Sequence, residues 1–136
     1  MTSFPLKIVT PDGLIFDGTA EMVTVRTVEG DMAVMARHIN CVVPLGMGTA
    51  AVVTGGERKI AACIGGLLSV NNGECTLVPT TFEWAENIDV SRAEKAQAKA
   101  QAILDSKKDD EVAQKLAEAK LRRALIRQNV AEQYKG

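Results

Sequence analysis

The stretch that decides the organisation of this chain is Asn87-Ile88-Asp89-Val90-Ser91-Arg92-Ala93. Ten of the eleven glycines and all four prolines lie before it, and after it there is no proline and only the terminal Gly136. Because glycine and proline mark turns and interrupt regular elements, this division predicts a turn-rich part followed by an uninterrupted helical part. We therefore expect a β domain over residues 1–87 and a helical arm over residues 88–136.

The charge is nearly balanced over the whole chain but differs between its two parts. The chain carries 16 Lys and Arg against 17 Asp and Glu, a net charge of −1. Residues 1–87 hold five basic and nine acidic side chains, net −4, and residues 88–136 hold eleven and eight, net +3. An excess this small, with acidic residues mixed in, does not indicate a nucleic-acid-binding surface. It is typical of a solvated helix surface.

The three cysteines, Cys41, Cys63 and Cys75, each lie in an apolar or strand-like run. No CxxC motif or Cys/His cluster has the spacing of metal ligands, so we expect buried, reduced thiols in a cytosolic protein and no metal site. The start of the chain lacks the basic and apolar regions of a signal peptide. No apolar run is long enough for a membrane span, so any membrane association is expected only through a partner.

The first part of the chain consists of short apolar or alternating runs, punctuated by turn residues at roughly ten-residue intervals, which predicts a compact all-β sandwich or barrel. In the run Glu21 to Val28, for example, Val23, Val25 and Thr27 alternate with more polar neighbours. Gly65-Gly66 belongs to neither a GxxxxGK[ST] nor a strand–GxGxxG–helix motif. We predict instead a bend or bulge at this pair, where a strand crosses between sheets.

His38 is the only histidine and lies three residues before Cys41. A nucleophilic Cys/His pair needs both side chains within hydrogen-bond reach and a third group that orients the base, for which Asn40 is the neighbouring residue. A small hydrolase at this pair is one alternative. We expect instead a loop histidine that faces a partner or is locally hydrogen-bonded, and no catalytic residues in the β domain.

The arm begins with a helix predicted over residues 90–106, which are rich in the strong helix formers Ala, Lys, Gln and Glu. Either Ser91, through an S-x-x-E capping box, or Asp89 is expected to cap its start. Its apolar stripe is made mainly of alanine and consists of Ala93, Ala96, Ala100, Ile103 and Leu104. Such a face permits close approach of another helix but buries little apolar area.

A polar link separates this helix from a second one, predicted over residues 111–133 with Asp109 or Ser106 as its cap. The apolar stripe of the second helix is Ala113, Leu116, Ala117, Leu121, Ala124 and Leu125, and Lys120 lies on one basic face with Arg123 and Arg127. The arm is therefore predicted to be a hairpin of two modest helices. Because isolated helices of this length are barely stable in water, the hairpin is either a static appendage or a two-state element whose position a ligand or a second docking surface sets.

A series of motifs, in a fixed order, runs almost from one end of the chain to the other. They are Val9-Thr10-Pro11-Asp12-Gly13, Phe16-Asp17-Gly18, Glu29-Gly30-Asp31-Met32-Ala33-Val34-Met35, His38, Pro44-Leu45, Ile64-Gly65-Gly66-Leu67-Leu68-Ser69-Val70 and Ile88-Asp89-Val90-Ser91-Arg92-Ala93. In order and spacing this series resembles the epsilon subunit of the rotary F-type ATP synthase, bacterial type. The resemblance implies an α+β fold, with an N-terminal ten-stranded β-sandwich followed by a C-terminal antiparallel two-helix hairpin.

The resemblance also implies a function: a non-catalytic rotor subunit in the central stalk of a proton- or sodium-translocating complex, peripheral on the cytoplasmic face of the cell membrane. The sandwich would bind the gamma subunit and rest on the ring of c subunits, so that rotation is coupled to ATP synthesis. The arm would extend into the alpha/beta catalytic head and inhibit ATP hydrolysis. By position, Glu29, Asp31 and His38 lie in turns that the family directs toward the ring or gamma.

In some bacterial members of this family, the junction motif I/L-D-x-x-R-A belongs to an ATP site that holds the arm folded. Here the motif is intact as Ile88, Asp89, Arg92 and Ala93. The resemblance adds four further positions, Glu83, Lys99, Arg123 and Arg127. Three guanidinium groups from two helices could clamp a polyphosphate, with ATP as a regulatory ligand rather than a required cofactor. The alternative is that Asp89 and Arg92 only cap and pair at the helix start.

Two positions depart from the family pattern. Lys99 stands where good ATP binders have arginine, which removes bidentate geometry. Arg37 stands where the family usually has glycine before the histidine, which leaves the conformation of that loop open. The alternative function, from a different class, is a free-standing ATP-sensing protein that uses the same helical hairpin. Binding to gamma distinguishes it from a rotor subunit.

Overall fold

The structure, a computed structural model, describes residues 2–135, which form ten β-strands, a short 3₁₀ helix and two α-helices. The strands are β1 (Phe4–Thr10), β2 (Gly13–Ala20), β3 (Met22–Thr27), β4 (Gly30–Val34), β5 (Cys41–Pro44), β6 (Met47–Thr54), β7 (Glu57–Ile64), β8 (Leu67–Asn71), β9 (Glu74–Val78) and β10 (Thr81–Trp84). The 3₁₀ helix spans Ala85–Asn87, and the α-helices are α1 (Val90–Ser106) and α2 (Glu111–Lys135). The predicted fold class is confirmed.

The strands form two five-stranded sheets. The first sheet has the order β2-β1-β9-β8-β5 and the second the order β10-β7-β6-β3-β4. Neighbouring strands are antiparallel except β1 and β9, which run parallel with Leu6 beside Cys75 and Ile8 beside Leu77. The first strand of the chain is therefore joined directly to the ninth.

The core of the sandwich consists of the side chains that alternate inward from both sheets. The largest of them that are almost fully buried are Leu6, Ile8, Val23, Val25, Val34, Val52, Leu68 and Leu77. The inward alternation predicted for Val23, Val25 and Thr27 is confirmed, since all three are buried. Burial of these side chains is the main favourable contribution to the stability of the sandwich.

The predicted crossing at Gly65-Gly66 is also confirmed. β7 of the second sheet ends at Ile64, and β8 of the first sheet begins two glycines later. Gly66 has φ +93°, and a Cβ placed on it would lie 2.0 Å from the carbonyl oxygen of Val78. A side chain at this position would therefore collide with backbone, and only glycine allows the two chain segments to approach this closely.

Two hairpins are closed by the same device, a buried threonine at the end of the leading strand. Thr10 Oγ1 donates to the Gly13 carbonyl at 3.3 Å, and Thr27 Oγ1 donates to the Gly30 carbonyl at 2.6 Å. Each hydroxyl also accepts the backbone N–H two residues further on, at 3.2 Å in both cases. The T-x-[DE]-G repeat in the sequence is the signal for this turn, because the hydroxyl satisfies turn groups that the strands leave unpaired.

The chain divides into two compact units between Trp84 and Ala85, and the boundary predicted after Asn87 lies at the other end of the 3₁₀ helix. Within the second unit, α1 and α2 form an antiparallel hairpin, and α2 also contacts the 3₁₀ helix. Among residues 2–135, no helix combines the length and the hydropathy that crossing a bilayer requires.

The seam between the two helices is narrower and more polar than predicted. Its buried positions include Ala93, Ala100, Ala117 and Ala124. Ala96, Leu116 and Leu125, which the predicted stripes included, are exposed. The reason is geometric: alanine brings two helices together along a thin line, so that residues at the margins of each stripe stay in solvent. Gln97 and Gln128 lie in the seam in their place.

The second helix is capped by a residue that the sequence prediction missed. Asp110 Oδ1 accepts the N–H of Ala113 at 3.0 Å, so the prediction of Asp109 or Ser106 was wrong. Ser106 instead donates its hydroxyl to the Ala102 carbonyl at 2.7 Å, at the end of α1. An N-cap must stand immediately before the first helical residue, and α2 begins one residue after Asp110.

Candidate functional site

The start of α1 is fixed by Asp89. Its carboxylate Oδ1 accepts the N–H of Arg92 at 3.0 Å, and its backbone is extended, with φ −84° and ψ 98°. Of the two caps that the sequence allowed, Asp89 is therefore confirmed and Ser91 is wrong, because α1 begins at Val90 and Ser91 already lies inside it. The carboxylate also interacts favourably with the positive end of the helix dipole.

Four predicted nucleotide-binding cations lie in the same half of the hairpin. Gln128 on α2 is bonded to Gln97 on α1, which fixes the register of the antiparallel helices. Arg127 is adjacent to Gln128 in sequence and Arg123 lies one turn earlier. On α1, Arg92 precedes the seam residue Gln97 and Lys99 follows it, and these two cations are two helical turns apart. The end of α2 thus brings its arginines alongside the beginning of α1.

The same four cations lie on one face of the hairpin. On each helix, the two cations are rotated about the helix axis by roughly 100° from the seam, in the same rotational sense. Because the helices are antiparallel, both pairs of cations point to the same side of the hairpin. Arg92 and Lys99 are exposed, whereas Arg123 and Arg127 are half-buried. Within residues 2–135, Arg92, Lys99 and Arg123 form no side-chain ion pair. We call Arg92, Lys99, Arg123 and Arg127 the cation face.

The remaining predicted ATP positions have different settings. Ile88 is half-buried at the end of the 3₁₀ helix, where its N–H donates to the Ala85 carbonyl at 3.3 Å, and Ala93 is buried in the seam. Glu83 is half-buried on β10, paired with Ala62 of β7. It therefore belongs to the sandwich unit, and the other predicted ATP residues belong to the hairpin unit.

The predicted partner-contact residues do not form a single cluster. Asp31 Oδ1 accepts the Nε–H of Arg26 at 2.6 Å, and both side chains are more than half exposed. Asp31 is on β4 rather than in a turn, and exposed Glu29 directly precedes that strand. His38 follows the other end of β4, in the loop that leads to β5. The sandwich thus carries Glu29 and Asp31 at one end and His38 at the other.

The His38–Cys41 pair lacks the geometry of a catalytic dyad. His38 Nδ1 lies 3.9 Å from Cys41 Sγ and 2.9 Å from the Ile39 carbonyl oxygen. Nδ1 must carry a hydrogen to bond that carbonyl, and it then has no lone pair with which to deprotonate the thiol. Asn40 does not orient the histidine, because its Oδ1 accepts the N–H of Asn72 at 2.8 Å. His38 is thus locally hydrogen-bonded, as predicted.

The buried thiols are also unsuited to nucleophilic chemistry. Burial raises the pKa of Cys63 from 9.0 to about 12. Burial, together with the nearby Cys41, raises the pKa of Cys75 from 9.0 to about 11. A thiol is nucleophilic as the thiolate, which both sites disfavour. Among residues 2–135, no three His, Cys, Asp or Glu side chains are grouped so that they could hold a metal ion.

A row of apolar side chains crosses the outer face of the first sheet, which the sequence prediction did not single out. Strand register aligns Pro44 with Leu67 and Leu67 with Val78, and it aligns Val9 with Leu14 on the other two strands. Leu67 and Val78 are each 47% exposed and Leu14 is 59% exposed. We call these five residues the outer apolar row. Exposed apolar side chains that are aligned on neighbouring strands form the kind of surface that binding partners cover.

The sequence prediction also missed the role of Gln114, whose side chain bonds the end of α1. Its side-chain amide Nε2 lies 2.8 Å from the Lys107 carbonyl oxygen, 3.2 Å from that of Leu104 and 3.4 Å from that of Ile103. It thereby satisfies the orphan carbonyl groups at the end of α1 from the neighbouring helix. The sequence gives no indication of this role for Gln114, because the role depends on the register of the hairpin.

Comparisons with known proteins agree with this architecture. The family model for the ATP synthase delta/epsilon chain β-sandwich domain matches residues 3–85, and the model for the long α-helix domain matches residues 86–132. The chain is 37% identical over 132 residues to the ATP synthase epsilon chain of Shouchella clausii, covering 97% of each. It is 39% identical over 110 residues to that of Bacillus subtilis, covering 81% of this chain and 83% of the relative.

A solved structure shows the same likeness. A chain in the Euglena gracilis mitochondrial ATP synthase, in the structure comprising OSCP, F1 and the c-ring, superimposes with a TM-score of 0.78 at 28% identity. The match covers 90% of this chain and 77% of that one. The two-part fold is that of the ATP synthase delta/epsilon chain, a β-sandwich domain followed by a long α-helix domain. The chain belongs to the ATP synthase delta/epsilon chain family and, by its bacterial relatives, to the F-type epsilon subunits within it.

Proposed function

We propose that this chain is a non-catalytic rotor subunit of a bacterial F-type ATP synthase, located peripherally on the cytoplasmic face of the cell membrane. The observation that carries the proposal is the outer apolar row on the first sheet, because a subunit of a large complex needs such a surface to bind a neighbour. The gamma subunit is the proposed neighbour. In this role the sandwich couples ion-driven rotation to ATP synthesis without catalysing a reaction itself.

Because Glu29 and Asp31 lie at the opposite end of the sandwich from His38, we assign the two ends to different partners. We place gamma along the edge strand β5, from Pro44 past Val42, which is 67% exposed, to the loop that holds His38. An edge strand offers unpaired backbone groups as well as side chains. The ring of c subunits contacts the end of the sandwich that carries Glu29 and Asp31, where acidic side chains can pair with basic groups of the ring.

The hairpin provides regulation. Its alanine seam buries little apolar area, so its folded state is held weakly and a ligand can shift the balance between folded and extended arms. The cation face is the proposed ATP latch, with Arg92, Arg123 and Arg127 as guanidinium donors to phosphate oxygens and Lys99 as a point charge. ATP bound there favours the folded arm, and the extended arm reaches the alpha/beta head and inhibits ATP hydrolysis.

Co-expression with gamma from the same genome tests the rotor role. The full chain should co-purify with gamma at equal stoichiometry, and Val42→Asp should weaken the complex by tenfold or more. The matched control is Leu116→Asp, which places the same charge on an apolar side chain of α2 that is 59% exposed. A full chain that remains alone in the presence of gamma, yet binds ATP, supports the free-standing ATP sensor and contradicts the rotor proposal.

A further inference from the structure

One residue in the β4–β5 loop has a backbone conformation that its side chain does not favour. Arg37 has φ +67°, in the left-handed region. Among the described non-glycine residues only Asn72, with φ 50°, shares this property. Asparagine tolerates the left-handed region because its short polar side chain can bond locally, whereas a long side chain such as arginine is disfavoured there.

No side-chain hydrogen bond or ion pair within the described part of the chain offsets this unfavourable conformation. Arg37 is exposed, and its guanidinium makes no hydrogen bond or ion pair with any residue in 2–135. Arg26, another exposed arginine of the sandwich, is held by Asp31 at 2.6 Å. At the other left-handed position, the N–H of Asn72 is bonded to Asn40. A strained residue without internal compensation is the kind found where a protein contacts a ligand or partner.

The surroundings of Arg37 have the composition of a recognition surface. Met35 and Ile39, two residues away on either side, are 52% and 76% exposed, while Ala36 and His38 between them are half-buried. Met35, Ala36 and Arg37 also line a shallow crevice of about 260 Å³ together with Thr2 and Glu21. The loop thus presents one cation between two exposed apolar side chains, at the edge of a surface depression.

We propose that Arg37 is a specificity-determining contact with gamma, and that its guanidinium pairs with a carboxylate of gamma that lies within an apolar surface. This inference rests on the proposed rotor function. The supporting observation is an exposed cation with no ion-pair partner among residues 2–135. Flanked by apolar groups that exclude water, such a cation forms a stronger ion pair at an interface than on an open surface. Met35 and Ile39 supply the apolar flanks.

The test uses the full chain and gamma from the same genome, with affinity measured by biolayer interferometry at 50 and 500 mM salt. Arg37→Asn keeps a residue that tolerates the left-handed region but removes the cation. It should raise the Tm of the free chain by about 2–5 °C because the strain is relieved. It should also weaken gamma binding about tenfold at 50 mM salt, and because a pair shielded from water is screened little by salt, most of this loss should persist at 500 mM.

The matched controls separate charge from backbone. Arg37→Lys keeps the charge and should retain most of the affinity, and Arg58→Asn removes an exposed arginine from ordinary strand backbone and should leave both Tm and affinity close to wild type. Wild-type affinity in Arg37→Asn at both salt concentrations would overturn the inference and leave the rotor function intact. A wild-type chain that does not bind gamma would overturn both.

Discussion

Gln128 on α2 donates its side-chain N–H to the side-chain oxygen of Gln97 on α1 at 2.7 Å. The same Nε2 lies 3.5 Å from the Ala93 carbonyl oxygen, and Gln114 bonds the last carbonyl groups of α1 at the other end of the hairpin. Between these two glutamines the seam contains mostly alanine. Polar bonds therefore fix the register of the hairpin, while the apolar contacts contribute comparatively little to its stability.

Gln128→Ala should loosen the hairpin, because it leaves the half-buried Gln97 amide without its partner, at a cost of about 1–3 kcal/mol. Hydrogen exchange of α1 and α2 should accelerate, while exchange of the sandwich strands stays unchanged. Gln101→Ala is the matched control, since Gln101 bonds only the exposed Asp105 one turn along the same helix. Equal acceleration in both variants would contradict the anchoring role.

Asp89→Ala should destabilise the start of α1 by about 0.5–2 kcal/mol, because the N–H of Arg92 loses its acceptor and the helix dipole loses a favourable charge. The thermal transition of the helical part, followed by circular dichroism, measures this. Ser91→Ala should have little effect, because Ser91 is exposed inside the helix and does not cap it. A larger effect at Ser91 than at Asp89 would show that the cap is wrongly placed.

Removing cations from the cation face should remove ATP binding. Arg92→Ala and Arg123→Ala should each reduce the affinity measured by isothermal titration calorimetry at least tenfold, because each removes a charge-assisted contact to phosphate. Lys99→Arg should strengthen binding by restoring a bidentate donor. Lys95→Ala removes an exposed cation from another side of α1 and should change little. ATP affinity that survives Arg92→Ala would mean that the latch lies elsewhere.

Gly66→Ala should prevent the sandwich from folding, since a Cβ at this position would lie 2.0 Å from the Val78 carbonyl oxygen and 2.5 Å from the Pro79 Cα. Backbone atoms cannot move away as a flexible side chain would. Gly55→Ala is the control, with φ +59° but no atom within 4 Å of the added Cβ, so it should cost only about 1 kcal/mol. Soluble expression and the midpoint of urea unfolding distinguish the two variants.

The buried Cys63 thiol should make the sandwich sensitive to alkaline pH. Its pKa is about 12 in the folded chain against 9.0 when exposed, so above pH 9 the unfolded chain loses a proton that the folded chain retains. Stability should therefore fall between pH 9 and 12, by about 1.4 kcal/mol per pH unit for this group. Urea midpoints at pH 8 and 10 measure the loss, which should be smaller in Cys63→Ala. Equal losses of stability in the wild type and in Cys63→Ala would contradict this prediction.

The sequence predicted what depends on local pattern. Alternation in β3, the glycine crossing at Gly65-Gly66 and the limits of α1 follow from residue periodicity and turn chemistry, which act over a few neighbours. The cap of α2 was wrong by one residue, because several polar residues in the link could have served. Distinguishing Asp110 from Asp109 requires knowing where the first helical turn starts.

Features that depend on pairing between distant segments could not be predicted. The role of Gln114 requires the register of two antiparallel helices, and the outer apolar row exists only once five strands are aligned. The separation of Asp31 from His38 likewise depends on the direction of β4, which carries the chain from one end of the sandwich to the other. Sequence spacing gives no measure of such distances, because strand direction decides whether nearby residues stay together.

The parallel pairing of β1 with β9 has a consequence for how the chain is made. β1 ends at residue 10, but β9, which lies between β1 and the rest of the first sheet, ends only at Val78. During synthesis, the hairpin of β1 and β2 can therefore pair with the rest of that sheet only after almost the whole sandwich has been made. Such long-range pairing is intrinsically slow. The two helices follow all ten strands in the chain, so the hairpin is synthesised only after the strands of the sandwich.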